Sequence, residues 1–79
     1  MATVFMLINS ELGAEERVLT ALHAIDVIKE TYIVYGMYDI IAKVVASSTE
    51  VIKKIILEEI RAIPEIRSTL TMVVAETWT

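Results

Sequence analysis

The segment Val4-Phe5-Met6-Leu7-Ile8 constrains the fold more than any other, because it carries large apolar side chains without a polar break. A run this short suits a strand buried on both faces, although periodicity alone does not separate it from a helix. Ser10-Glu11-Leu12-Gly13 then interrupts it, so the reading is a strand over Thr3–Asn9. From Ala14 to Ile25 the period changes. At 100° per residue Val18, Leu19, Leu22 and Ile25 share one arc while Glu16, Thr20 and His23 lie opposite, the pattern of a helix with one buried side. Glu15 and Glu16 fall in its first turn, where the helix dipole favours negative charge.

Two more strands are expected at Glu30–Tyr35 and Tyr38–Ala46, joined through Gly36-Met37 as a two-residue II′ hairpin turn with glycine in the positive-φ position. Ser47-Ser48-Thr49-Glu50 has capping-box spacing and opens a second helix. That helix runs to Ile63, and Pro64 helps end it. Ile52, Ile55, Ile56, Ile60 and Ile63 form its apolar stripe, and Glu50, Lys53, Lys54, Glu58 and Arg61 its polar one. Glu59 projects into the apolar arc, where an unpaired carboxylate is costly; an arc centred nearer Ile56 leaves it at the margin. The last strand, Ile66–Ala75, alternates Thr69 and Thr71 with Leu70 and Met72, and Glu76–Thr79 reads as a short tail whose Trp78 packs on a neighbour.

The order β-α-β-β-α-β with right-handed crossovers is a ferredoxin-like sandwich: α+β, a four-stranded antiparallel sheet with two helices on one face, one domain over residues 1–79. The sheet's second face should then be polar if it meets water. The first strand, Tyr32–Tyr35 and Ile40-Ile41 offer no polar alternate positions, so that face is expected to be an interface. Leu57, on the polar stripe of the second helix, suggests a second, helix-side contact that could build dimers into rings.

Composition narrows the chemistry. Hydrophobic residues make up 56% of the chain and mean hydropathy is +0.62. Thr31–Ala46 is the longest candidate membrane span, yet Gly36, Asp39 and Lys43 interrupt it short of roughly 20 clean apolar residues. With no leader-like opening either, a cytoplasmic location is expected. Net charge is −4 with seven scattered basic residues, which argues against direct nucleic-acid binding. The chain has no cysteine and a single histidine, His23, read as a solvated helix residue; a metal site or cofactor is not expected. Glycine-rich phosphate loops, a convincing Ser/His/Asp set and HExxH are all missing, so no catalytic residue is assigned.

Tyr35-Gly36-Met37-Tyr38-Asp39 is the most informative stretch. A carboxylate beside a glycine turn can bond backbone N–H groups for structure alone. It can also hold a ligand's ammonium while free turn N–H groups take a carboxylate, with Thr69 and Thr71 completing the site. The residues Val34–Val44, with Gly36-Met37-Tyr38-Asp39 at their centre, resemble the glycine-x-tyrosine-aspartate strand pair of the Lrp/AsnC effector-binding (RAM) domain. Ile63-Pro64-Glu65-Ile66-Arg67-Ser68-Thr69-Leu70-Thr71 resembles that family's lead-in to its final strand. Many members carry Asp where Met37 stands.

The resemblance implies sheet-face dimers, their assembly into rings such as octamers, and a small effector, commonly an amino acid, bound between dimers. It places Gly36, Tyr38, Asp39, Thr69 and Thr71 at that site. It also implies a stand-alone form without the usual helix-turn-helix, acting by ligand-biased assembly or by co-assembly with full-length, DNA-binding relatives. The main alternative is a small dimeric αβ-barrel enzyme, monooxygenase- or isomerase-like, which needs a cavity between helices and sheet lined by His, Asn or acidic groups; this sequence offers mostly Ile, Val and Leu there.

Overall fold

The computed structural model describes residues 1–79. Strand β1 spans Ala2–Ser10, helix α1 Glu15–His23, β2 Ile28–Ile33, β3 Ile40–Ala46, α2 Thr49–Ile55 continuing as a π-helical turn over Ile56–Ile60, and β4 Ile66–Val73. The strands form one antiparallel sheet in the order β2-β3-β1-β4. With two helices against it, this is the ferredoxin-like βαββαβ sandwich expected. The unbroken run Val4–Ile8 is a central strand, paired on both edges.

Register sorts every strand residue onto a face, because directly opposed residues point the same way. Val4, Met6 and Ile8 stand opposite Val44, Ala42 and Ile40, and all six are at most 1% exposed. Val18, Leu22, Ile52, Ile56 and Ile60 from the helices, with Ile63 just beyond the second, close over them to make one core cluster. The other face carries Phe5, Leu7, Ile41, Leu70 and Met72 in adjacent rows, and not one of them belongs to that core. The molecule is therefore two layers, with a least Cα extent of 17 Å. Its accessible surface, 5415 Å², exceeds the roughly 4,800 Å² of a compact monomer of this mass. A sheet with one uncovered face contributes to that excess, as do exposed loop and terminal residues such as Leu12, Tyr35 and Trp78.

Four local expectations change. The β2–β3 connection is not a two-residue II′ turn: the last register pair is Ile33–Ile40, the Val34 N–H donates to the Asp39 carbonyl at 2.8 Å, and Tyr35–Tyr38 form the loop between them. Accordingly β2 begins and ends two residues earlier than expected. The cap of α2 is Ser48, whose Oγ accepts from the Val51 N–H at 3.2 Å; Glu50 lies inside the first turn rather than closing a box with Ser47. The helical stretch ends at Ile60 instead of Ile63, through a π turn in which the Arg61 N–H reaches the Ile56 carbonyl at 3.0 Å. That wider turn keeps both Ile56 and Ile60 against the sheet and turns Leu57, Glu58 and Glu59 outward, which resolves where Glu59 goes. Finally, β4 stops at Val73, although the Val74 N–H still donates to the Thr3 carbonyl at 3.0 Å.

Candidate functional site

Gly36 sits at φ 147°, a conformation side-chain-bearing residues rarely adopt. No atom lies within 4 Å of where its Cβ would stand. Backbone conformation, not crowding, is what calls for glycine here. The loop it permits delivers Asp39 to the end of the sheet beside the end of β1. There three bonds hold Asp39: its N–H donates to the Ile8 carbonyl at 3.0 Å, its carbonyl accepts from Val34, and its Oδ2 accepts from the Ser10 N–H at 3.0 Å. The carboxylate thus performs the structural role anticipated for it, and only one of its two oxygens is engaged.

Asp39 lines a cleft of about 370 Å³ together with Asn9, Ser10, Arg67 and Ser68, without a single apolar side chain. That volume falls at the small end of the roughly 300–1,000 Å³ usual for ligand pockets, whose walls are ordinarily apolar. Asn9 Nδ2 donates to Ser68 Oγ at 3.3 Å across the strand pair. Ser10 is 7% exposed and its hydroxyl has no partner, an uncommon state for a buried polar group. Arg67 arrives by a β-bulge: Asn9 opposes Ser68 and Ser10 opposes Ile66, so Arg67 is the extra residue between them. Bulges re-aim side chains in this way next to functional sites. Arg67 makes no ion pair; the single one in the chain joins Arg17 to Glu65 at 3.5 Å.

The five residues expected to share a site do not share one cavity within this chain. Asp39 belongs to the polar cleft. Thr69 lies in a neighbouring cleft of about 440 Å³ with Arg61, Ile66, Arg67 and Ser68, so Arg67 and Ser68 form a wall common to both. Thr71 lies on the helix side of edge strand β4, in a narrow apolar crevice with Val4, Ile52, Ile56 and Val73. Gly36 is exposed and Tyr38 half-buried on the β2–β3 loop, lining none of these spaces. Sequence reasoning missed Asn9, Ser10, Arg67 and Ser68. The polar break after Ile8 and the Arg67-Ser68 pair were visible, but the bulge that brings them together was not.

The uncovered sheet face is a second candidate surface. Tyr32, Leu70 and Met72 are 45–49% exposed there, with Phe5, Leu7, Ile41 and Val45 half-buried between them. Lys43 and Glu30 face each other across β2 and β3 on this side. Tyr32 donates its hydroxyl to Glu30 Oε1 at 2.9 Å, and this bond, with the carboxylate's charge, raises the phenol above its ordinary value of 10.0. The segment after β4 turns over one end of the face: Val74, Glu76, Thr77 and Trp78 border a cleft with Thr3, Phe5 and Lys43. The Trp78 ring is almost fully exposed, its Nε1 donating to Glu76 Oε2 at 2.9 Å. His23, expected to be solvated, is exposed and meets Thr31 Oγ1 through Nε2 at 2.8 Å. No helix is long and apolar enough to cross a membrane.

Known proteins extend these observations. The structure of FFRP-DM1 superposes with a TM-score of 0.90 at 40% identity, over 94% of this chain and 99% of its own. Escherichia coli AsnC gives 0.91 at 27% identity, over 96% of this chain but 52% of AsnC. A transcriptional regulator of Neisseria meningitidis, solved as its L-Met complex, gives 0.87 over 95% of this chain and 50% of its own; at 9% identity it shows the shared fold alone. Among curated protein sequences none matches. The model of the Lrp/AsnC ligand binding domain matches residues 3–79. The chain therefore belongs to the Lrp/AsnC ligand-binding-domain family.

Proposed function

We propose that this chain is a small-molecule effector-binding and oligomerisation module, one Lrp/AsnC-type unit over residues 1–79, whose effector is an amino acid. The single observation that carries the reading is the uncovered sheet face. Its apolar rows Phe5, Leu7, Ile41, Leu70 and Met72 are what a folded monomer avoids exposing. A second copy is the natural cover: a two-fold axis sets the same rows against each other. The effector then binds away from that face, near Gly36, Tyr38, Asp39, Thr69 and Thr71, where dimers meet and a ring such as an octamer closes. Asp39, Thr69 and Thr71 fall in three separate clefts of one chain, and Gly36 and Tyr38 line none of them, which agrees with a site that needs a second subunit to complete it.

Function follows from linkage. A ligand that binds only the site completed at a dimer–dimer contact shifts the population toward that assembly, by as much as its differential affinity and no more. Co-assembly with full-length, DNA-binding Lrp/AsnC relatives would pass that shift to transcription. The family and its regulator neighbours support a regulatory rather than an enzymatic role. So does the interior between helices and sheet, where a barrel enzyme would hold its substrate: Met6, Ile8, Leu22, Ile52 and Ile60 fill it at 0–1% exposure.

Light scattering of the full chain with and without each of the twenty amino acids, followed by calorimetry on those that act, tests this reading. One amino acid that binds and changes the oligomer distribution supports it. No binding by any of them, with the oligomer unchanged, contradicts it.

A further inference from the structure

Among the register pairs of the open face only Lys43 and Glu30 carry charge, and they stand side by side. One cross-strand row runs Glu30, Lys43, Phe5 and Met72, from edge strand β2 through β3 and β1 to β4. Lys43 is half-buried on an inner strand. Phe5 stands opposite it, and Ile41 and Val45 flank it on the same side of β3. Yet Lys43 makes no ion pair, since the only one in the chain joins Arg17 to Glu65. Glu30 accepts from the Tyr32 hydroxyl through Oε1, which leaves its second oxygen unengaged. Glu76 brings a further carboxylate to the cleft that Lys43 shares with Phe5 and Trp78.

In water this arrangement is harmless. Under cover it decides what can dock. An ammonium taken out of water among apolar side chains needs a carboxylate beside it. A second copy supplies a balanced set, because two-fold rotation brings its own Lys43 and Glu30 to the interface and the buried row then has no net charge. The face is in that sense complementary to itself. We propose that Lys43 and Glu30 form a charge lock on the open face, which admits a second copy of this chain and rejects a chain whose row is unbalanced. The inference rests on the reading of the chain as an oligomerising module and adds the residues that choose its partner. The apolar rows drive association. The charged row makes it selective, because like charges buried against one another cost far more than a matched pair gains.

Sedimentation equilibrium and native mass spectrometry on the full chain test this with Lys43→Glu and Glu30→Lys, each alone and mixed in equal amounts. Neither residue belongs to the core, and circular dichroism checks that each variant is folded. K43E alone brings only carboxylates to this row of the interface, and E30K alone only ammoniums. Each should therefore associate with itself at least about a hundredfold more weakly than the unchanged chain. The mixture should recover tight assembly with the two variants in equal proportion. A variant damaged in its own fold cannot give that rescue. The chain carrying both exchanges should again assemble with itself. Self-association of K43E and E30K as tight as that of the unchanged chain, or a mixture that fails to co-assemble, overturns the lock while leaving the oligomerisation reading standing. An unchanged chain that stays monomeric, as a face meant for a membrane or an unrelated protein would leave it, overturns both.

Discussion

The two faces of the sheet carry similar apolar rows, the open one interrupted by the Lys43–Glu30 pair, and have opposite fates. On one, Val4, Met6, Ile8, Ile40, Ala42 and Val44 lie beneath two helices and are lost to solvent. On the other, Phe5, Leu7, Ile41, Leu70 and Met72 occupy the alternate positions of the same ladders and remain partly in water. Hydrophobicity does not distinguish them; cover does. The helix-side face stabilises the monomer, and the open face receives no cover from the chain's own helices.

The comparison can be broken or sharpened by substitution. The largest effect belongs to the covered face. Ile8→Ala or Ile60→Ala, each removing a side chain at 0% exposure, should lower unfolding free energy by about 2–5 kcal/mol, read from chemical denaturation. The matched change on the open face, Leu70→Ala, should cost much less in the isolated protomer and act instead on the concentration dependence of Tm. Equal losses on the two faces at low protein concentration would erase the distinction drawn here.

A smaller effect is expected at the helix that provides the cover. Ser48→Ala deletes the bond its Oγ accepts from Val51 and should cost about 1 kcal/mol, whereas Ser47→Ala should be close to neutral. The sole tryptophan offers a readout rather than a perturbation. Trp78 is 88% exposed beside the open face, so its emission should shift to the blue when that face is covered and stay red where it is not.

The smallest effect is titration of Tyr32. Its phenol is raised above 10.0 by the bond to Glu30 and that carboxylate's charge. The stabilisation of a group whose folded pKa is raised is fully present below the unfolded value and is lost as pH climbs through the folded one. The Tyr32–Glu30 bond therefore stands at neutral pH and fails only above pH 10.0. Glu30→Gln should move the Tyr32 phenolate transition, followed by absorbance, to lower pH. No movement would remove Glu30 as its cause.

Much of this was legible in the chain. Element order, the solvated helix stripes and the apolarity of both sheet faces follow from periodicity, since a strand with no polar alternate positions must be covered twice. The length of the turn at Gly36 is not legible because glycine signals access to positive φ and not a residue count; the φ of 147° that it adopts in the four-residue loop lies far from the roughly +60° that a II′ turn needs there. Glu59 escapes the core through a π turn, which a fixed 100° projection does not represent. The polar cleft was legible only at Asp39. Arg67 reaches it because β4 gains one residue against β1, and register is settled by pairing across the sheet, not by neighbours in sequence.

Sedimentation equilibrium on the full chain across a hundredfold range of concentration, beside a Leu70→Lys, Met72→Lys variant, tests the central claim most directly. The account predicts masses at even multiples of 8.9 kDa for the unchanged chain and a folded species of 8.9 kDa for the variant, since the two lysines would bury unpaired charge on a face meant to be dry. A soluble, folded monomer of the unchanged chain throughout that range would contradict it.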